Sequence, residues 1–495
     1  MTFPINSSRS IKSLSAITLL SKYYLDTEDK RSFCVAFSGG KDSTAVLYLV
    51  IHMLLELKEK KQTLHKKVYI INSNTLAELP PVLEHLHNTL KKIEDYATKY
   101  NLPITVEEVT PEIKHTLNVQ LLGVGMPPPS SSLRWCTDKL KVMPIDARLK
   151  EIFTDGAFIS VIGTRSDESS SRAERMDRSS VKGTDLKLNN RYENASNLMP
   201  IEDWTTKDVW EYLFNQSNEL ADVDFLWKLY SDASSKDASE CTFVGAGGKH
   251  IEEGQLGCGT SRFGCWQCYM VRDKDKSLDG LLKSGYDNME SYKEYRDWFW
   301  HKSQEGWENT RDVYAHNHQT RDYYNKGGEE NPKFGMTMPK GLRLSLRKEA
   351  FEKMLILQNT LQEELITKDE IILIQQRWVY EGDFELKAFR LARKYGVELK
   401  YVDLPTSLKK ELRDAKRIYR EKLMIKELKS IYAIVTLKRL AIQYVSKPKK
   451  YDSKFFPSKR EERFIRKEWR KGERIKKEFE DLSSDYLLQF IKGKM

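Results

Sequence analysis

One hexapeptide, Ser38-Gly39-Gly40-Lys41-Asp42-Ser43, constrains this chain more than any other feature. It follows a short apolar run, Phe33–Phe37, that reads as a buried strand, and it opens an amphipathic stretch, Thr44–Lys58, that reads as a helix. Two glycines there let the backbone approach an anion with no Cβ in the way. A helix start offers unpaired N–H groups and the positive end of a dipole to the same anion. Ser38 and Ser43 add hydroxyl donors and Lys41 a charge, whereas Asp42 would repel a bare phosphate and requires Mg2+ beside it. The spacing is not the G-x-x-x-x-G-K-[ST] of a Walker A loop. The bland alternative is a Gly-Gly turn between strand and helix, and six residues in register with the right flanks weigh against it.

Further apolar runs at Val68–Ile71, Ile104–Val109 and Phe158–Ile162 read as strands, with Val82–Tyr100 a helix between them. Strand–helix alternation predicts an α/β fold, a parallel sheet with helices on both faces that binds ligands at the carboxyl ends of its strands. At roughly 150 residues per domain the 495 residues imply about three domains. The compositional zones are 1–215, the nucleotide-binding α/β part; 216–335, cysteine-rich, aromatic and irregular; and 336–495, helical and basic. Thr367 with Glu370 forms a capping-box helix start, and Thr205 can cap the helix that carries Val209, Trp210 and Leu213. Trp204 and Trp210 read as core, and Pro127–Ser132 as a mobile loop. With 40% hydrophobic and 11% aromatic residues the chain is too apolar to be disordered. The longest apolar run, Ala45–Leu57, is interrupted by His52 and is shorter than the ~20 residues of a membrane span. The N-terminus lacks a signal-peptide pattern. The expectation is a cytoplasmic protein with no membrane partner.

Six cysteines are too few for a secreted disulfide scaffold. Cys34 lies in an apolar strand and reads as inert core. Cys241, Cys258, Cys265 and Cys268 crowd together, and by count four thiolates suit structural zinc and a [4Fe–4S] cluster equally. A zinc ribbon would prefer two C-x-x-C knuckles, and Cys265-Trp266-Gln267-Cys268 is one. Cys136, between Arg134 and Lys139, sits in a basic setting that favours its thiolate. The net charge of +10 is uneven: Lys416–Met495 holds 24 Lys and Arg against 11 Asp and Glu, a net +13, and the rest sums to −3. A solvated helix face is the ordinary reading of such a run, and a polyanion-binding surface the sharper one.

The hexapeptide resembles the PP-loop of ATP pyrophosphatases, which cut between the α and β phosphates. Asn74-Thr75-Leu76-Ala77-Glu78-Leu79-Pro80 resembles the T-x-x-E-x-P element of phosphoadenosine-phosphosulfate (PAPS) reductases, and Gly163 to Arg172 resembles their G-x-R-x-x-E-S-x-x-R element. Met199–Trp210 looks like a further segment of that family, and Arg134 to Pro144 resembles its R-x-C-x-x-x-K-x-x-P. Together with Cys258-Gly259-Thr260-Ser261-Arg262-Phe263-Gly264-Cys265-Trp266-Gln267-Cys268, these strings resemble the DndC family, PAPS-reductase-like sulfurtransferases of bacterial DNA phosphorothioation.

The resemblance implies an adenine-nucleotide α-hydrolase-like sheet followed by a cysteine-rich insertion and a helical C-terminal region. ATP would bind at Ser38, Gly39, Gly40, Lys41, Asp42, Ser43, Asn74, Thr75, Gly163, Arg165 and Arg172, the arginines forking phosphates. Lys41, Asp42 and Cys136 would be catalytic. A [4Fe–4S] cluster would sit on Cys241, Cys258, Cys265 and Cys268, with Cys136 either replacing Cys241 or carrying sulfur. The partners would be DNA, a cysteine desulfurase as sulfur donor and other Dnd-system proteins. Adenylation makes a backbone phosphate oxygen a leaving group that sulfur can displace, and an intact hexapeptide suits ATP better than PAPS. A PP-loop iron–sulfur tRNA thiolase and a non-catalytic ATP- and DNA-binding subunit are the competing readings. Tyr292–Tyr324, rich in aromatics interleaved with Lys and Arg, reads as helical core before nucleic-acid platform. If the basic face Arg463, Arg466, Lys467, Arg470 and Arg474 contacts phosphates, a chain ending near Arg413 loses DNA affinity and flattens its salt dependence while keeping ATP binding. Equal salt slopes for both chains in a titration would return the segment to the solvated-helix reading.

Overall fold

The computed structural model describes residues 10–130, 133–168, 179–181, 183–232, 264–271, 275–305, 310–312, 341–379, 381, 383 and 385–399. Cys241, Cys258, Arg172 and the basic C-terminal face lie outside the described residues. The chain divides into two compact units, one of Met1–Ile374 with Ala388–Glu398 and one of Gln375–Lys387 with Leu399–Met495.

The first unit opens with α1 (Ile11–Leu25), capped by the Ser10 side chain on Ser13 N. Strands and helices then alternate as β1 (Ser32–Ala36), α2 (Lys41–Glu59), β2 (Val68–Ser73), α3 (Pro80–Lys99), β3 (Ile104–Val109), α4 (Met143–Ile152) and β4 (Phe158–Val161). The four predicted strands and two predicted helices are all present, α2 starting three residues early at Lys41. A short pair, β5 (Lys187–Leu188) and β6 (Ser196–Leu198), completes a sheet of order β3-β2-β1-β4-β6-β5. All neighbours are parallel except β5 and β6.

Period-two patterning assigns the two faces. Phe33, Val35, Val68, Ile70, Ile159 and Val161 point into one core with α1, α2, α3 and the helix α5 (Thr206–Phe214). Cys34, Ile71 and Phe158 point the other way, onto Leu149 and Phe153 at α4. Cys34 is buried as expected, and burial pushes its thiol up to about 12. Trp204 and Trp210 are core, each 1% exposed. Thr205 caps α5 through a reciprocal box with Asp208, and Thr367 with Glu370 caps α10 (Lys368–Val379).

The zone read as irregular contains regular helices: α6 (Val223–Asp232), α7 (Lys276–Lys283) and α8 (Met289–Gln304). Tyr292, Tyr295 and Phe299 at spacings of three and four give α8 a buried face, which bears out helical core for this part of the aromatic segment. A two-residue pair, β7 (Arg311–Asp312) with β8 (Gly341–Leu342), precedes α9 (Leu344–Leu361), α10 and α11 (Lys387–Lys394). Among the described residues no helix is long and apolar enough to cross a membrane.

The chain runs outward from β1 to β3 and returns to lay β4 on the other side of β1, so the order reverses between β1 and β4. Crevices at such reversals are where doubly wound sheets bind ligands. The loops after both strands meet there: a Cβ on Gly163 would stand 2.8 Å from the carbonyl oxygen of Asp42. Gly163→Ala is therefore expected to cost ~1–3 kcal/mol, the usual range for overpacking, measured by urea unfolding; unchanged stability would mean the loops can separate.

His85 on α3 gives a second prediction. It is buried, stacks on Phe225 at 4.8 Å and, among the described residues, leaves Nε2 without a hydrogen-bond partner. Burial lowers its pKa from 6.5 to about 4, with Asp222 opposing and Lys92 assisting. The unfolded chain then binds the extra proton between these values, so this contribution is full above pH 6.5 and is lost as pH falls toward 4. The loss is about 3 kcal/mol. His85→Phe should flatten that part of the pH–stability curve, and an unchanged slope would assign it elsewhere.

Candidate active site

The hexapeptide closes the gap between β1 and α2. Gly39 takes a left-handed φ of 71°, which glycine adopts without strain. Ser43 Oγ donates to Gly40 O at 3.0 Å, accepts from Ser38 N at 3.3 Å and lies 3.1 Å from Ser38 Oγ. The hydroxyls expected to meet phosphate thus also brace the loop. Asn72 at the end of β2 donates to Phe37 O at 2.8 Å and fixes the two strand ends together. Its Oδ1, like Thr44 Oγ1 on α2, is buried without a partner among the described residues.

Asp42 adds a detail to one expectation. Its Oδ2 accepts from Lys41 Nζ at 2.7 Å and its Oδ1 from Arg165 Nε at 2.7 Å. Two cations therefore offset the carboxylate before any nucleotide is bound. Arg165 corrects another: its guanidinium does not stand open as a phosphate fork. It is 2% exposed, and besides Asp42 it donates to Asp167 Oδ2 and Trp204 O, both at 3.2 Å, and to Thr206 Oγ1 at 3.1 Å.

The T-x-x-E element is an internally bonded loop. Glu78 accepts from Thr75 N at 3.2 and 3.0 Å and from Thr75 Oγ1 at 2.7 Å. Asn74 donates to Glu108 Oε1 at 3.0 Å and accepts from Leu76 N at 2.9 Å. Leu76 has a left-handed φ of 60° and is 53% exposed, an apolar side chain at the loop tip.

The cysteine segment lies directly on this element. Trp266 N donates to Ala77 O at 2.8 Å, Glu78 and Cys265 form a backbone bridge, and Cys265 Sγ is 3.3 Å from Thr75 Oγ1. Desolvation pushes the Cys265 thiol up to about 12 and also raises Cys268. Buried Arg296 donates to Cys268 O at 3.0 and 3.3 Å. Cys136 lies within electrostatic reach of Cys268, and Lys141 within reach of both Cys136 and Cys265. The basic neighbours of Cys136 were expected to favour its thiolate; burial outweighs Lys141 and raises the thiol instead. Among the described residues no three His, Cys, Asp or Glu side chains stand close enough to hold a metal ion. Cys265 and Cys268 fit a thiolate-bound centre as two of its ligands, because thiols kept neutral by burial become good donors only when a cation displaces their protons.

Two residues near the loop escaped the sequence reading. Tyr230 of α6 places its hydroxyl 3.3 Å from where a Gly40 Cβ would be, and its ring centroid lies 5.2 Å from Lys41 Nζ. Thr206 meets Arg165 across the sheet end. Nothing in the spacing of Tyr230 marks it, whereas Thr206 stands in the Met199–Trp210 string, read only as a helix start.

The model of the phosphoadenosine phosphosulfate reductase domain matches residues 32–269. An uncharacterized protein of Methanocaldococcus jannaschii is 26% identical over 202 residues, 40% of this chain and 35% of that protein. A second uncharacterized protein of the same organism is 25% identical over 214 residues, 42% of this chain and 43% of its own length. The chain thus spans less than half the length of these relatives. A crystal structure of PAPS reductase from Candida auris aligns at 15% identity and a TM-score of 0.25, covering 40% of this chain and 78% of that one. FMN adenylyltransferase from Candida glabrata aligns at 14% identity and a TM-score of 0.26, covering 43% and 60%. Over residues 32–269, then, this chain carries a PAPS-reductase-like domain on a mostly parallel α/β sheet.

Proposed function

We propose that this chain cleaves ATP to AMP and pyrophosphate and uses the adenylyl group to activate a DNA backbone phosphate for sulfur transfer. The carrying observation is the contact of Cys265 Sγ with Thr75 Oγ1 at 3.3 Å, which sets a cysteine centre against the strand-end loop of a nucleotide-type sheet. The glycine loop and the start of α2 cradle the phosphates, and Lys41 draws charge from them. A non-bridging oxygen of the DNA phosphate attacks the α-phosphorus, an O–P bond forms, and pyrophosphate leaves with the electrons of the broken bond. The outer sulfur of a protein persulfide then attacks the DNA phosphorus, AMP departs with the former backbone oxygen, and a second thiol breaks the S–S bond to leave the phosphorothioate, the resulting disulfide being returned to thiols by an external dithiol reductant. A cysteine desulfurase is the proposed sulfur donor, with other Dnd-system proteins as partners.

Cys258, Cys265 and Cys268 would hold a [4Fe–4S] cluster, with Cys136 or Cys241 as fourth ligand. When bound, such a cluster supplies a place to hold sulfur beside the nucleotide. Protein purified without air is expected to contain about four iron atoms per chain, and to release AMP and pyrophosphate faster with DNA than with tRNA. Asp42→Ala should lower that rate at least ~100-fold. Release of ADP and phosphate, or stoichiometric zinc, would overturn the corresponding half of the reading, and stimulation by tRNA alone would favour a thiolase.

A further inference from the structure

We infer that Arg165 is a positioning residue of the nucleotide site, fixing the Asp42 carboxylate against the start of α5 so that Lys41 is the cation that leaves it for a phosphate. This rests on the ATP-cleaving reading and deepens it.

The two cations on Asp42 are held very differently. Arg165 is fully buried, and four donor contacts occupy its guanidinium: Asp42 Oδ1, Asp167 Oδ2, Trp204 O and Thr206 Oγ1. A guanidinium has five N–H bonds, so this set leaves no fork for a bidentate phosphate. Nor can the side chain swing away cheaply. Departure would strand the carbonyl of Trp204, a core residue, and the hydroxyl of Thr206 in the first turn of α5. Its own loop is pinned as well, because Gly163 abuts the Asp42 backbone. One loop therefore grips Asp42 at main chain and side chain together.

Lys41 is also buried, but among the described residues it has one ion pair, to Asp42 Oδ2 at 2.7 Å, and a ring face 5.2 Å away. It stands at the first position of α2, in the mouth of the glycine loop, on a flexible four-carbon stem. A triphosphate offers that ammonium several negative charges in place of one. When Nζ turns to the phosphates, Oδ2 is released to the divalent cation that travels with the nucleotide. Oδ1 stays on Arg165 Nε, so the carboxylate keeps its place while its second partner is exchanged.

The test compares wild type, Arg165→Lys, Thr206→Val and Lys41→Met. It reads calorimetric binding of α,β-methylene ATP and turnover of ATP to AMP across a range of Mg2+ concentrations. Lysine can still reach Asp42 but cannot serve all four contacts, and Thr206→Val removes one support while leaving the ion pair in place. For Arg165→Lys the expected result is analogue affinity within about threefold, kcat down at least tenfold and half-saturating Mg2+ up about tenfold, the scale of a misplaced catalytic group. Thr206→Val should shift kcat and Mg2+ in the same direction by roughly threefold. Lys41→Met should instead weaken analogue binding about tenfold or more. A rise in KM and Kd for Arg165→Lys with kcat and Mg2+ dependence unchanged would make Arg165 a phosphate ligand and overturn the inference. Unchanged kinetics in both Arg165→Lys and Thr206→Val would reduce the cluster to a structural role and overturn it equally. If wild type binds no analogue, the ATP reading itself falls.

Discussion

The absence of a side chain at Gly163 is the constraint from which the site follows. The chain returns across the sheet to place β4 beside β1, and the two loops that leave these strands must share one small volume. They share it because the space a Cβ would need is already held by the backbone of Asp42. That close approach sets Arg165, two residues on, against the Asp42 carboxylate. Buried ion pairs are weak evidence for stability, since desolvation offsets their attraction. What the Arg165–Asp42 pair gives is a single orientation for a carboxylate that would otherwise rotate.

A second junction operates on the other side of β1. The loop after β2 is closed on itself by Glu78, and the Cys265 segment is laid along it through backbone contacts at Ala77 and Glu78. Beneath the cysteines, Arg296 fastens Cys268 O to α8. Residues some 190 positions apart in sequence thereby meet at one sheet end. A helix that follows both in the chain is the scaffolding of that meeting: α8 buries Tyr292 and Tyr295 against Trp266, centroids 5.0 and 5.6 Å away.

The central strands were legible in the sequence because each is an apolar run between turn signals, and α2 because its glycine start and apolar face coincide. The pair β5 and β6 was not, since Lys187–Leu188 and Ser196–Leu198 are short and polar and exist only as additions to an existing edge. The buried face of α8 was legible as helical core from its aromatic spacing, although the surrounding zone, with its glycines and cysteines, read as irregular. At the site, residue types announced themselves while their partners did not. No spacing along the chain says that residue 165 meets residue 42; that needs the crossover. Cys136 was misjudged for a related reason: its basic neighbours in sequence count for less than the water it loses on folding.

Thr75 Oγ1 stands between Glu78 and Cys265 with a single hydroxyl proton to give. At present that proton lies toward Glu78 Oε1, 2.7 Å away, so at Cys265 the same oxygen can only accept, and the sulfur must be the donor. A Cys265 that has lost its proton can no longer play that part. The hydroxyl must then rotate toward sulfur and abandon Glu78, or leave the thiolate without a donor. Glu78 also holds the main-chain N–H of Thr75 and Ala77, which give the loop its shape. The protonation state of one sulfur atom is thus written, through a single rotor, into the outline of the neighbouring strand-end loop.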